Sequence, residues 1–459
     1  MVNGPLFSKI VLFAVPLMFS GMLQLLFNAA DIIVVGRFCG KEAIAAVGAT
    51  ASTINLIVCV CIGFTVGTNV LVAQFYGAKK EGTVGITVHT SITFSVIAGT
   101  IMMLIGLLAS RGLLTLLGTP EDVIELSLLY MRIYLAGLPV LFLYNFGAAV
   151  LRAIGDTFRP MIFLTISGVL NVILNLLFVI VFDMNVAGVG LATVLSEALS
   201  AFLVILCLIR SDDIYRFELR RIGINPRALK EIVHIGLPAS LQSAVFSISN
   251  MQIQSSVNSF GSAVMAGHAA ANNISGFVYT AMNSVTQASI TFTSQNFGAG
   301  KFNRLNKVLL NCVIVVSMIG GVLGGATQLF GEPLLRIYTT DPDAISAGMI
   351  RFVYFGVPYL MCGVMEVICG AVRGIGYEFL PMIVSLIGAC GFRVFWVSVI
   401  FHAFPTLQVL YISYPISWIL TGTVHLVCYI VCKRKMIRLR TSRDLGRRKP
   451  EAVAQAAEE

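Results

Sequence analysis

Three carboxylates, Asp31, Glu197 and Glu366, lie well inside long apolar segments of the sequence. They are a small minority of the 22 Asp and Glu residues in the chain. An ionisable side chain at membrane depth is costly unless it is paired or hydrated, so such residues usually serve a function. A buried carboxylate can hold a proton or, together with neutral oxygen ligands, a hard cation such as Na⁺.

Neutral oxygen groups occur at the depth of Asp31 in other apolar segments. Asn28 precedes Asp31 by less than one helical turn, Asn171 and Asn175 form an i, i+4 pair, and Thr193 lies in the following segment. At 1.5 Å per residue, Asp31, Thr193 and Asn175 lie about 8, 10 and 12 Å below one membrane surface. We predict that these five residues form a cation-coupling site, with Asp31 as the coupling carboxylate and Asp31, Asn171, Asn175 and Thr193 as a possible Na⁺ site. The alternative for the Asn and Thr residues is hydrogen bonding between packed helices.

Five further polar residues are candidates for a substrate cavity. Glu197 lies one turn beyond Thr193 and could bind substrate or supply a second carboxylate, although a neutral Glu bonded to a neighbouring helix is the alternative. Glu366 is about 10 Å from the end of its segment. Asn250, Gln252 and Gln254 are spaced by two and cannot share one helical face, so some of them should line a cavity or a lobe interface.

The composition excludes a soluble enzyme and a disordered chain. The 459 residues are 57% hydrophobic and 12% charged, and the mean hydropathy is +0.89, whereas soluble domains are about 25% charged. The sequence contains neither HExxH nor a phosphate-binding GxxxxGK[ST] motif, so no catalytic residue is predicted. The ten cysteines lack metal-ligand spacing and are interpreted as packing residues. We therefore expect that the protein is not an enzyme and that it binds no cofactor and no metal other than the possible Na⁺.

The apolar segments predict an all-α polytopic membrane protein, because a helix of about 20 apolar residues crosses a bilayer. Twelve transmembrane helices are predicted: 10–35, 44–72, 84–109, 121–150, 160–182, 186–209, 232–258, 263–293, 307–330, 342–370, 380–403 and 406–432.

The basic residues predict the orientation of these spans. With the N-terminus inside, 24 of the 31 Lys and Arg residues fall on the inner side and four on the outer side. Positive charge is retained in cytoplasmic loops, so both termini of a multi-pass protein of the plasma membrane should be cytoplasmic. The basic C-terminal tail should contact anionic lipid head groups. Nucleic acid is not an expected partner, because no soluble basic domain is present.

The two halves of the sequence repeat each other. LRAIGDTFRPM at 151–161 corresponds to VRGIGYEFLPM at 372–382, and other pairs occur at nearly the same offset. Each half holds an even number of spans, so two six-helix lobes should be related by a pseudo-two-fold axis along the membrane normal. We assign the lobes and the segments outside them as follows: residues 1–209 to the N-lobe, 210–231 to a cytoplasmic linker, 232–435 to the C-lobe and 436–459 to a basic, disordered tail.

Three arginines within spans also need an explanation. Arg132 and Arg351 are repeat-related, which favours a structural role common to both lobes. Arg393 has no repeat counterpart and is predicted to pair with Glu366 on the preceding span.

These motifs together resemble the multidrug and toxic compound extrusion (MATE) family. The resemblance rests on the first-span pattern at 16–40, the two repeat loops at 151–161 and 372–382, NVILNLLFVIVF at 171–182 and GVGLATVLS at 188–196. It covers most of the chain. It implies a twelve-helix antiporter, expected to be monomeric, that exports amphipathic and often cationic drugs in exchange for H⁺ or Na⁺.

The resemblance also implies roles for individual residues. Relatives with an N-lobe cation site have the first-span Asp, an Asn-x-x-x-Asp pair and a Thr, which match Asp31, Asn171 and Thr193. Asn175 stands where they have the last Asp, and this departure favours H⁺ as the coupling ion. The acidic C-lobe position of other relatives is Cys362 here. The alternatives are a lipid-linked precursor flippase of the same superfamily and an intramembrane enzyme.

Overall fold

The protein is almost entirely helical. A computed structural model describes residues 1–455, with side chains for all of these except 248 and 439–455. The α-helices are α1 (Leu6–Val34), α2 (Lys41–Gly77), α3 (Glu81–Leu116), α4 (Glu121–Ala136), α5 (Leu138–Ile154), α6 (Phe158–Leu176), α7 (Asn185–Ile209), α8 (Pro226–Asn258), α9 (Ser262–Gly298), α10 (Phe302–Leu329), α11 (Gly331–Arg336), α12 (Pro342–Phe355), α13 (Tyr359–Gly374), α14 (Phe379–Ser385), α15 (Phe392–Trp396) and α16 (Leu407–Gln455). Short π-helical segments extend α1 and α6 and flank α15.

The predicted twelve-helix, two-lobe fold is confirmed. Within the described residues, nine helical segments are long and apolar enough to span a membrane, and the bent pairs α4–α5 and α12–α13 bring this to eleven. α9 is the twelfth. It has 37 residues and no charged side chain, but its many Asn, Ser, Thr and Gln residues lower its hydropathy. Because α9 is largely buried by other helices, it can be this polar and still cross the membrane.

Each lobe contains one bent span at a repeat-related place. α4 and α5 meet at 45°, with Gly137 and Pro139 at the junction, and α12 and α13 meet at 44°, with Gly356 and Pro358. Proline removes a backbone donor and clashes with the preceding turn, which breaks a helix. By contrast, Pro16 lies inside the continuous helix α1.

The first two helices of each lobe form the lobe interface. α1 packs against α6 in its own lobe and against α9 and α10 of the other lobe, while α8 packs mainly against α2. α1 and α8 are repeat-related, as are α2 and α9. A change in the position of α1 therefore affects the packing of both lobes directly.

The linker between the lobes is short and packs against the N-lobe. α8 begins at Pro226, inside the predicted linker 210–231, because the Asn225 side chain accepts hydrogen bonds from the first turn and Pro226 favours the first helical position. Tyr215 and Phe217 are buried against the N-lobe. The linker is thus a strap fastened to one lobe.

The C-terminal segment also differs from the expected disordered tail at 436–459. α16 continues as a helix to Gln455, through a sequence rich in Arg, Leu, Lys and Ala, which have high helix propensity. Residues 456–459 lie outside the described residues.

Candidate functional site

A chain of hydrogen bonds joins three helices of the N-lobe around Asp31. Asn175 Nδ2 donates to Asp31 Oδ1 at 2.5 Å and to Asn171 Oδ1 at 3.2 Å. Asn171 Nδ2 lies 3.5 Å from Thr193 Oγ1, which itself donates to the Val189 carbonyl oxygen at 3.0 Å. The structure thus brings together Asp31, Asn171, Asn175 and Thr193.

The helices approach closely at this cluster because a glycine lies between them. A Cβ at Gly168 of α6 would overlap the ring of Phe27 on α1. One and two helical turns beyond Gly168 on α6, Asn171 and Asn175 are buried and face α7 and α1. Asn175 Oδ1 is buried without a hydrogen-bond partner among the described residues. Such an orphaned acceptor is costly unless an ion, a water or a rotated amide satisfies it.

Two of the predicted partners lie outside this hydrogen-bonded chain. Asn28 is exposed, because three residues turn a helix by about 300° and leave it to one side of Asp31. Glu197 is half-buried on α7, and its charge repels that of Asp31. Tyr130 and Tyr134 are close enough to Glu197 to interact with its charge. The cluster therefore contains one carboxylate rather than two.

A site with several neutral oxygens and one carboxylate can bind a proton or, weakly, a hard cation. No group of three or more His, Cys, Asp or Glu side chains in the described part of the chain could hold a metal ion. A cation at Asp31 could use the free Asn175 Oδ1 and Thr193 Oγ1 as further ligands. A proton on Asp31 would need neither.

A polar cavity lies between the C-lobe and α2. Its volume is about 550 Å³, within the range of cavities that hold drug-sized ligands. Three of the predicted cavity residues, Asn250, Gln254 and Glu366, line it. Gln252 is half-buried and does not line it, because a spacing of two residues turns it to the opposite face of α8 from Asn250 and Gln254.

One wall of the cavity is aromatic. Phe355, Tyr359, Tyr414 and Trp418 pack together, and the ring centroids of Phe355 and Tyr414 are 4.6 Å apart. His268 also lines the cavity, and its Nδ1 lies 2.8 Å from the Tyr411 hydroxyl. Flat, polarisable surfaces of this kind suit the aromatic bodies of amphipathic compounds.

Two predictions about arginines are wrong. Arg132 is exposed whereas Arg351 is buried in the cavity wall, so the repeat does not give them a common role. The two lobes differ because Arg351 finds an acceptor in Asn272 and a ring in Phe355. Arg393 does not pair with Glu366. Its Nε donates to Ser417 Oγ at 3.0 Å, because the guanidinium lies over the Tyr414 ring.

A third cavity arginine, Arg373, was missed as a cavity residue because it lies at the end of its span. Arg373 Nη2 donates to Gln242 Oε1 at 2.7 Å, and its Nε lies 3.5 Å from Glu378 Oε2. Gln242 Nε2 donates in turn to Ser385 Oγ at 3.0 Å. Burial raises the pKa of the Glu378 carboxyl to about 8, although Arg373 opposes the shift. Glu378 follows α13 in a short loop, so sequence alone gave no sign of its burial.

The lobes are fastened to each other near the side of the membrane on which both termini lie. Gln74 Nε2 donates to the Gly374 carbonyl oxygen at 3.0 Å, and Gln295 Nε2 donates to the Ala153 carbonyl oxygen at 2.7 Å. These two bonds are repeat-related and cross the interface in opposite directions. We call these four residues the latch.

Glycines allow close contact between α2 and α9, the helices that carry the two latch glutamines. A Cβ at Gly77 would overlap the Gln295 carbonyl oxygen, and a Cβ at Gly298 would overlap that of Gln74. In the described residues, the side-chain hydrogen bonds between the lobes lie between the middle of the membrane and the side of the termini. The cavity extends toward the opposite side.

A two-lobed membrane transporter is the class of protein that this fold and these buried polar sites define. The MatE family model matches the chain twice, over residues 16–177 and 238–399. The chain belongs to the MatE family, which confirms the resemblance found in its motifs. Members of this family are transporters and not enzymes, as predicted.

Individual relatives agree with this assignment over most of their length. The chain is 29% identical over 420 residues to the probable multidrug resistance protein YoeA of Bacillus subtilis, covering 89% of this chain and 90% of that protein. It is 23% identical to the multidrug export protein MepA of Staphylococcus aureus, covering 79% and 82% of the two chains. A solved outward-facing structure of a multidrug resistance MATE transporter matches with a TM-score of 0.89 at 22% identity, covering 95% and 98%.

Proposed function

We propose that the protein is a secondary antiporter that exports amphipathic organic compounds, including drug-like cations, in exchange for a coupling ion. Asp31 is the coupling carboxylate. The observation that carries the proposal is the hydrogen-bonded chain from Asp31 through Asn175 and Asn171 to Thr193. The names of two relatives, a probable multidrug resistance protein and a multidrug export protein, support the substrate class.

The position of Asp31 supports a coupling role. α1 contacts both lobes, so a change in its packing alters the interface directly. When Asp31 takes up an ion, the hydrogen bond from Asn175 must weaken or rearrange. An ion that binds one arrangement of α1 more tightly shifts the equilibrium between the two arrangements of the lobes.

The ligand set favours H⁺ over Na⁺ as the coupling ion. Na⁺ binds more tightly as the number of charged oxygen ligands rises, and the cluster has one carboxylate with Asn175 in place of a second. A proton needs the Asp31 carboxylate alone. No cofactor takes part in this scheme.

Alternating access is supported by the unequal contact of the lobes. The latch holds them together on the side of the termini, and the cavity extends toward the opposite side. The distribution of basic residues supports a cytoplasmic orientation of the latch end and a location in the plasma membrane. In this arrangement the cavity would release substrate outward, and breaking the latch would open it inward.

The test is efflux from proteoliposomes in which pH and Na⁺ gradients are set independently, with ethidium as the fluorescent cation. Asp31→Asn should keep the protein folded and inserted, because it removes a buried charge, yet abolish gradient-driven transport. Asn28→Ala, a change at an exposed residue of the same helix, should transport as the wild type does. Wild-type transport by Asp31→Asn would refute the role of Asp31.

A further inference from the structure

Two arginines line the cavity without a carboxylate partner among the described side chains. Arg351 and Arg393 are each 3% exposed. Arg351 Nη2 donates to Asn272 Oδ1 at 2.9 Å, but its Nε and Nη1 are buried with no hydrogen-bond partner among the described residues. A guanidinium buried in this way is costly unless an anion completes its bonding.

Both guanidinium groups lie on the same aromatic cluster. The Cζ atom of Arg351 is 4.2 Å from the centroid of Phe355, and that of Arg393 is 4.2 Å from the centroid of Tyr414. The two rings pack edge to face. This geometry fixes two cations beside one apolar, aromatic surface, which is the combination that an amphipathic anion needs.

The charges of the cavity do not balance. Its charged lining residues are Arg351, Arg373, Arg393 and Glu366. Arg373 lies 3.5 Å from Glu378, which does not line the cavity. Glu366 remains as the one lining carboxylate for two arginines, and none of the salt bridges of the described chain joins Glu366 to either of them. The cavity is therefore positive.

The internal repeat does not explain why Arg351 is buried. Its counterpart Arg132 occupies the same place in the N-lobe and is exposed. The fold therefore does not require a buried arginine at this position in each lobe.

We infer that the C-lobe cavity binds an amphipathic organic anion. Its aromatic body lies against Phe355, Tyr414 and Trp418, and its carboxylate, sulfonate or phosphate group accepts hydrogen bonds from Arg351 and Arg393. This inference rests on the proposed transport function and adds a second class of substrate to the cations. A phosphate group could come from a soluble compound or from a lipid head group, and both present the same chemistry to the arginines.

Binding to the purified full chain in phosphatidylcholine nanodiscs tests the inference without any gradient. The probes are 2-naphthalenesulfonate and 2-naphthylmethylammonium, which share a ring system and differ in charge. Isothermal titration should show the sulfonate binding the wild type about tenfold more tightly than the ammonium compound, because its hydrogen bonds to the arginines are charge-assisted.

Arg393→Gln should weaken sulfonate binding about tenfold and leave ammonium binding unchanged or stronger. Arg351→Gln is the second variant, and Arg132→Gln, at an exposed arginine, is the matched control. Equal affinity of the wild type for the two probes would overturn the inference whether or not the variants fold. So would an equal loss of sulfonate binding in Arg132→Gln.

Two further measurements distinguish the possible sources of the anion and separate anion binding from ion coupling. Phosphatidylglycerol added to the nanodiscs should compete with the sulfonate if a lipid head group is the natural anion, and should leave its affinity unchanged if a soluble anion is. Asp31→Asn should retain sulfonate binding although it loses gradient-driven efflux. Failure of the anion site and failure of the coupling carboxylate are therefore distinguishable.

Discussion

At the scale of single residues, the N-lobe site depends on how one amide is shared. Asn175 donates to both Asp31 and Asn171, which leaves its own oxygen without a donor. The amide thus stabilises the ionised carboxylate and offers a free oxygen ligand beside it. Replacing this amide by a carboxylate changes the number of charges at the site without changing its shape.

Asn175→Asp should therefore convert the site toward Na⁺. A second carboxylate facing Asp31 raises the affinity for a hard cation, and the concentration of Na⁺ needed for half-maximal efflux should fall by about tenfold. The measurement is efflux at a constant pH gradient with Na⁺ varied, and Asn28→Asp is the control with a carboxylate beside the cluster. If wild-type efflux already collapses when Na⁺ is withdrawn, H⁺ coupling is wrong, and Asn175 and Thr193 must bind Na⁺ through neutral oxygens.

Glu378 should make stability depend on pH. Its pKa is raised from 4.5 to about 8 in the folded protein, so the folded state holds a proton that the unfolded state loses between these values. Stability is then greatest below about pH 4.5 and falls as pH rises to about 8. Between pH 5 and pH 8 the wild type should lose about 2 °C or more of melting temperature relative to Glu378→Gln. Glu332→Gln, at an exposed residue, should keep the wild-type dependence, and a Glu378→Gln profile parallel to the wild type would contradict the assignment.

Depth along a helix could be predicted from the sequence, whereas side-chain direction could not. The 1.5 Å rise predicted that Asp31, Asn175 and Thr193 share a depth, and the structure joins them. The same argument included Asn28, which is at the correct depth but exposed and outside the hydrogen-bonded chain. Arg351 shows the corresponding limit for repeats, because two repeat-related backbones met different neighbours in the two lobes.

At the scale of elements, the strap fastens the linker to the N-lobe by a few contacts with α3. The backbone N–H of Glu218 donates to His89 Nε2 at 3.0 Å, and that of Asn225 donates to Thr90 Oγ1 at 3.1 Å. The Phe217 ring is buried, with its centroid 5.1 Å from that of His89. The sequence predicted a cytoplasmic linker at 210–231. It could not predict which of the aromatic side chains in that segment are buried, because the charged residues around them hide the pattern.

Phe217→Ala should release the strap. Loss of this buried ring costs about 3–5 kcal/mol of local packing, and trypsin should then cleave faster at the exposed Arg220 and Arg221. Leu219→Ala, at a side chain that is 61% exposed, should cleave at the wild-type rate. Separation of the two lobes on a denaturing gel gives the rate, and equal rates for the two variants would show that Phe217 does not hold the strap.

At the scale of the whole molecule, the repeat creates a symmetric closure. In the latch, the repeat-related glutamine of each half donates to the last turn of α5 or α13 in the other half, and a repeat-related glycine of each half allows the approach. The sequence predicted the repeat and the lobes from corresponding loops and prolines. It could not predict that corresponding residues would bind each other's lobe, because an internal repeat carries no information about how its two copies dock.

Gly298→Ala should open the latch. Its Cβ would overlap the Gln74 carbonyl oxygen, whereas Gly276→Ala on the same helix has open space around it. Spin labels at Lys80 and Asn303, in a background without native cysteines, should report a longer mean distance in Gly298→Ala only. An unchanged distance would mean that close approach at this glycine does not set the lobe equilibrium.

The orientation of the molecule is tested by labelling single cysteines in whole cells. An impermeant reagent should modify Ser262→Cys, at the first residue of α9, and should reach Arg220→Cys on the strap only after the cells are opened. Both positions are exposed, so burial cannot mimic protection. The reverse pattern would invert the topology.

The polarity of α9 bears on how the chain is made. A nascent helix this rich in amides and hydroxyls gains little by partitioning from the translocon into lipid, and α8 before it has a mean hydropathy of 1.3, the lowest among the nine single-helix candidate spans of the described chain. α9 is buried by α1 and α2 as well as by later helices. The N-lobe is synthesised first and supplies the surface on which α9 can shelter. Biogenesis of the second lobe therefore uses the first as its template, and the helix that is least suited to enter the bilayer alone becomes the centre of its lobe.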